Sequence, residues 1–304
     1  MWSLPVGPPV ATIYFQGMAN TQVSAALYSD RLRATTGEVV RFPGALPLLY
    51  NPWPGKELDE VDFGTKHSFV AYYTWLYNWY LGYRFENNSK LYWYNLHRKL
   101  GNLGQTDDMI EHSQKVASAE GRDLILFGYS RGAIATFNAL AHYHYPRVRL
   151  VILEAVVDSQ GENLSRLSLK QKLLFHCLLP IFAPANQSNA LAPIDVVDQF
   201  PVAVPVALIS VRGDDTSHID GQCRLARALA ERGVSIYHLI VEGTGHTPIP
   251  LHPPAIRHQV LVFLHALYRQ CNLPHIESLA DEGYAVMQGA KLGQRGVFFP
   301  TGTT

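Results

Sequence analysis

The stretch LILFGYSRGA, residues 124–133, decides the fold. Its first half is a run of large apolar residues with no polar alternation, which reads as a strand buried on both faces. It breaks at Gly128, Tyr129, Ser130, Arg131 and Gly132, after which Ala, Leu and Phe recur at helical spacing through AIATFNALAHYHY. A strand that becomes a helix across Gly-x-Ser-x-Gly needs a turn so tight that flanking Cβ atoms would clash, hence the two glycines. Such a turn lifts the Ser130 hydroxyl above the sheet edge. It also puts the serine at a helix N-terminus, where free N–H groups and the helix dipole favour negative charge.

The same alternation continues on either side. RLVILEAVV (149–157), PVALISVRG (205–213) and VSIYHLIV (234–241) read as further strands. TDDMIEHSQKVASAEGR (106–122), QCRLARALAERG (222–233) and HPPAIRHQVLVFLHALYRQ (252–270) read as helices, the first with Thr106 as N-cap and Gly121 as stop. Upstream, ALPLLY (45–50) is read as the first strand, ending in the loop NPWPG (51–55), and KLYWYNL (90–96) as another. The aromatic stretch between them, residues 69–84, is read as a helix that partly lines a pocket. The class is therefore α/β, a mostly parallel sheet with helices on both faces.

Residues 159–200 break the rhythm, with an apolar helical segment followed by a Pro/Asn/Ser-rich stretch, and are read as a lid or cap insertion. The core then divides into 18–158 and 201–270. Residues 271–304 read as a weakly patterned tail. At the N-terminus, YFQGM resembles the scar of a cleavable expression tag, so residues 1–17 are read as a tag or flexible leader.

Lys plus Arg and Asp plus Glu balance at 25 each, and no block of like charge occurs, which argues against a nucleic-acid partner. The three cysteines, Cys177, Cys223 and Cys271, are widely spaced and odd in number, which suits a reducing compartment and predicts a cytoplasmic protein. No apolar stretch reaches the roughly 20 residues of a membrane span. His142 and His144 lack the downstream partners of a metal site, and no nucleotide-binding glycine loop is present.

A serine hydroxyl is a poor nucleophile until a base takes its proton, and histidine is suited to that task near neutrality. Among 13 histidines, His246 stands out, because EGTGHTPIP (242–250) directly follows the last strand as a glycine-flanked loop. An acid must orient the imidazole, and SVRGDDTSH (210–218), after the preceding strand, offers Asp214 and Asp215. Asp158, at the end of an earlier strand, is a weaker candidate and reads better as a turn residue or cap.

With GYSRG, RGDDTS, GTGHT and NPWPG in this order, the chain resembles the α/β-hydrolase superfamily over residues 45–268. The resemblance implies Asp215 as the acid, followed by small residues as in the family, with Asp214 second. It also implies the N–H groups of Trp53 and Arg131 as donors to an oxyanion, and it departs from the family in having Asn51 and Pro52 before Trp53. Tyr129, beside the nucleophile, is expected to contact substrate.

The expected activity is that of a serine hydrolase acting through an acyl-enzyme on an ester, thioester or related acyl compound. The apolar insertion favours a hydrophobic, lipid-like substrate, and the chemistry calls for no metal or organic cofactor. The alternatives are a non-catalytic binding protein on the same fold, and an acyltransferase or lyase using the same residues.

Overall fold

The computed structural model describes residues 10–15, 38–41, 110–111, 114–115, 117–158, 169 and 192–289. Among these residues six strands form one sheet: β1 (Val10–Phe15), β2 (Glu38–Arg41), β3 (Asp123–Tyr129), β4 (Val148–Glu154), β5 (Val206–Gly213) and β6 (Ile236–Thr244). They lie in the order β2-β1-β3-β4-β5-β6, and every neighbouring pair is parallel. The helices whose bounds are described are α1 (Arg131–His142), α2 (Ile219–Glu231), α3 (Pro254–Gln270) and α4 (Glu277–Gly289), with 3₁₀ turns at Pro193–Gln199 and Ile249–Leu251.

Alternation along the central strands separates two cores. Leu124, Leu126, Val151, Leu153, Val206 and Leu208 face α1 and α2, where they pack with Phe137, Leu140, Leu225 and Leu229. Ile125, Phe127, Ile152, Ile209, Tyr237 and Leu239 face the other way, against Val260, Phe263, Leu264 and Leu267 of α3. Because helices cover both faces, the strands have no solvent side, which is why β3 reads as an unbroken apolar run. The expected strand over 123–129 and the helix that follows it are both in place, and the helix expected over 106–122 is helical wherever it is described between 110 and 119.

Three expectations are corrected. Val10–Phe15 lies inside the span read as a tag or leader, yet β1 is paired on both sides, Phe15 opposite Gly128 and Tyr14 opposite Arg41. The segment VATIYF is β-branched and aromatic, and its local propensity for a strand outweighs the prolines that precede it. Of the span 159–200, only 169 and 192–200 are described. Its end, Pro193–Gln199, is a turn of the core, with Val196 and Val197 buried and Phe200 stacked on Phe137 at 4.7 Å.

Finally, the tail after Cys271 contains α4, where Leu279 and Ala280 are buried and Leu279 clusters with Val262 of α3 and with Ile276 just before the helix. The two helices approach so closely at Gly283 that a Cβ there would run into the carbonyl oxygen of Val262. A contact made by small residues leaves little apolar periodicity to read. The segments expected at 45–55, 69–84 and 90–96, and the lid from 159 to 191 apart from Leu169, lie outside the described residues.

Candidate active site

β3 ends at Tyr129 and α1 begins at Arg131, so Ser130 alone makes the turn, with φ 52° and ψ −117°. That positive φ is rare for a residue with a side chain and stores strain on the order of 1–3 kcal/mol. The surroundings over-determine it. The Ser130 N–H donates to the carbonyl of Glu154 at 2.8 Å, and its carbonyl accepts the N–H groups of Ala133 and Ile134. Gly128 is required because a Cβ there would lie 2.5 Å from Ala133 Cα and 2.7 Å from its nitrogen. Arg131 opens the helix, so its N–H belongs to the first turn, whose amides have no intrahelical acceptor.

The parallel topology carries the ends of β3, β5 and β6 to one edge of the sheet, and the loops after them meet there. His246, just past β6, places Nε2 2.8 Å from Ser130 Oγ. Its Nδ1 lies 2.9 Å from Asp214 Oδ2 and 3.1 Å from Oδ1. Since a carboxylate accepts, Nδ1 carries the proton and Nε2 is left to accept from the serine. The histidine side chain keeps 20% of its surface exposed while Asp214 keeps 1%, so the imidazole is reachable and the carboxylate is sealed.

Besides His246, three bonds hold the Asp214 carboxylate. The N–H groups of Thr216 and Ser217 donate to Oδ1 at 2.8 and 2.9 Å, and the Ser217 hydroxyl donates to Oδ2 beside His246. Burial by itself raises the Asp214 pKa, but the bonds from His246 and Ser217 and the charge of His246 outweigh it and hold the carboxyl below its ordinary value. Asp215 points elsewhere, exposed, and among the described residues accepts only a 3.3 Å bond from Thr216 Oγ1. The structure thus brings Asp214 to His246 and leaves Asp215 apart from it. The missed signal is local: an aspartate whose carboxylate accepts from residues two and three ahead makes an Asx-type turn, and Thr216 and Ser217 stand at those positions from Asp214.

Tyr129, expected to contact substrate, is buried with its side chain against the histidine loop. Its hydroxyl donates to the His246 carbonyl at 3.2 Å, and its ring stacks on the imidazole at 5.4 Å. Burial and the nearby Glu154 and Asp214 carboxylates push its pKa up, so the hydroxyl stays a neutral donor. Glu154 was not anticipated. It ends β4, and its Oε1 accepts the N–H of Ile249, three residues after His246. Asp158 receives Arg224 Nε and Nη2 on one oxygen at 3.1 and 2.9 Å and ties β4's exit to α2. Trp53 lies outside the described residues. Among the described residues no group of three His, Cys, Asp or Glu is placed to hold a metal ion, and no helix is long and apolar enough to cross a membrane.

No protein-family model matches the sequence. No curated protein sequence matches it either. Solved structures do. An acylaminoacyl peptidase from Pyrococcus horikoshii superposes with a TM-score of 0.54 at 14% identity, over 90% of this chain and 39% of that one. An esterase from Pyrococcus furiosus matches with a TM-score of 0.43 at 12% identity, over 84% of this chain and 79% of that one. A puromycin-hydrolyzing peptidase from Mycobacterium tuberculosis matches at 0.42 and 21% identity, over 53% of this chain and 24% of that one. The chain thus spans well under half the length of the two peptidases. With the all-parallel sheet and the serine turn beside β4 already in view, the likeness to the first of these structures establishes that this chain has the α/β-hydrolase fold.

Proposed function

We propose that the protein is a serine hydrolase that cleaves an acyl bond through a covalent acyl-enzyme. The observation that carries this reading is the 2.8 Å approach of His246 Nε2 to Ser130 Oγ, with Asp214 on the opposite ring nitrogen. In this reading Ser130 Oγ attacks the carbonyl carbon as His246 takes its proton. The imidazolium that forms is stabilised by Asp214 and then gives that proton to the leaving group. Water, deprotonated by the same histidine, attacks the acyl-serine ester, and the histidine returns that proton to Ser130 Oγ as the acid is released.

The negative oxygen of each tetrahedral intermediate needs donors. The Arg131 N–H, at the start of α1, is proposed as one. For the second, Trp53 is the residue implied by family resemblance.

The substrate is proposed to be an ester, thioester or related acyl compound with a hydrophobic acyl group. A fluorophosphonate probe should label the wild type and leave Ser130→Ala unlabelled; no labelling of folded wild type would overturn the assignment. A series of p-nitrophenyl esters of rising chain length, with an acylaminoacyl p-nitroanilide beside it, then sorts ester from amide and short from long acyl groups.

A further inference from the structure

The buried face of α2 is made by Gly221, Gln222, Leu225, Ala226 and Leu229. Four of these suit a helix packed on a sheet. Gln222 does not, because a primary amide with no exposed surface is costly to bury unless its polar atoms are bonded. Here both ends are. Gln222 Nε2 donates to the Ser217 carbonyl at 2.9 Å, and Oε1 accepts from Ser210 Oγ at 2.6 Å. Ser210 in turn lies 2.7 Å from His238 Nε2.

The direction of this chain is forced. A backbone carbonyl only accepts, so the amide nitrogen must face Ser217 and the amide oxygen must face Ser210. The oxygen only accepts, so the single Ser210 proton goes to it. His238 must then donate from Nε2, which makes it the neutral tautomer with a bare lone pair on Nδ1. That nitrogen is buried and has no partner among the described residues, as a lone pair tolerates and an N–H would not. Burial pushes His238 down to about 4, in keeping with a neutral ring. At the outer end, Ser217 gives both its N–H and its hydroxyl to Asp214.

We propose that Gln222 is a positioning residue for Asp214: by fixing the Ser217 carbonyl from inside the core, it sets the loop 214–217 so that the carboxylate faces His246. Ser210 and His238 hold the amide from behind and prevent it from rotating. The polar chain therefore runs from the sheet interior to the sealed acid, and each member has one arrangement of protons. This role rests on the reading of Ser130, His246 and Asp214 as a catalytic triad.

Gln222→Met keeps the length of the side chain and removes both bonds. The second-order rate of fluorophosphonate labelling at Ser130 should fall by roughly tenfold. The double variant Asp214→Ala/Gln222→Met should label no more slowly than Asp214→Ala alone, because Gln222 acts through the placement of the Asp214 carboxylate. Labelling of Gln222→Met at the wild-type rate, or multiplicative losses in the double variant, would overturn the proposal. Amide hydrogen exchange supplies a readout free of catalysis: protection of the Thr216 and Ser217 N–H groups should drop while the amides of α2 keep theirs. Unchanged protection overturns the locking role. Wild type that fails to label would remove the hydrolase reading alone and leave the exchange data to decide the locking role. Should Gln222→Met not fold, Ser210→Ala frees one end of the amide and must raise exchange at the same two sites, or the proposal falls.

Discussion

Asp214 and Asp215 are neighbours in the chain and opposites in the structure: Asp214 is buried 2.9 Å from His246 Nδ1, whereas Asp215 stands in solvent. Asp214→Asn keeps the shape of the side chain but can present an amide to Nδ1 and favour the wrong tautomer. Turnover of an activated ester near neutral pH should fall by roughly 10³-fold or more. Asp215→Asn should stay within about twofold of wild type, as a surface substitution does. Equal losses in the two variants would contradict the geometry.

Gly128→Ala should destabilise the fold strongly. The added methyl meets backbone atoms of Ala133, which cannot yield as a side-chain tip would. Urea unfolding should show a loss of about 3 kcal/mol or more, or no folded protein. A loss under about 1 kcal/mol would mean that α1 does not press on β3 at this point.

The α3–α4 contact makes a similar claim far from the serine. Gly283→Ala should lower stability by about 1–3 kcal/mol through overpacking against Val262, while fluorophosphonate labelling of Ser130 stays at the wild-type rate. Unchanged thermal unfolding would sink the close helix approach.

Stability should also depend on pH through His238, whose folded-state value lies near 4 because the ring is buried. The unfolded chain binds its proton near 6.5, so between about 6.5 and 4 the unfolded state holds more protons than the folded one. The contribution of the neutral ring is complete above that window and fades as pH falls through it, at up to about 1.4 kcal/mol per pH unit. His265, buried and further lowered by His275, falls to about 4 and adds to the trend in the same direction. Unfolding free energies from pH 7 to 4.5 should fall less steeply in His238→Gln, whose amide can replace the Nε2 donor. Parallel curves for the two proteins would contradict this.

The strands β3 to β6 were legible because burial on both faces writes itself as continuous apolar sequence, and the helices after β5 and β6 because α2 and α3 carry an apolar stripe. β1 was hidden by its flanks, since prolines and a tag-like YFQGM drew the reading away from VATIYF. α4 was hidden by its chemistry, since Ala280 and Gly283 pack through smallness. At the site, Ser130 and His246 could be singled out by position alone, each just past a strand at the same sheet edge. The choice between adjacent aspartates depends on which way a turn points its side chains. That is set by the amides of Thr216 and Ser217, which no periodicity reports.

Glu154 is bonded to both reacting loops: its carbonyl accepts the N–H of Ser130, and its carboxylate accepts the N–H of Ile249 just beyond His246. Ser130 and His246 are thus referenced to a single point at the end of a central strand. When the sheet flexes, both loops ride with that point, and the gap between oxygen and nitrogen is shielded from motions that would otherwise open it.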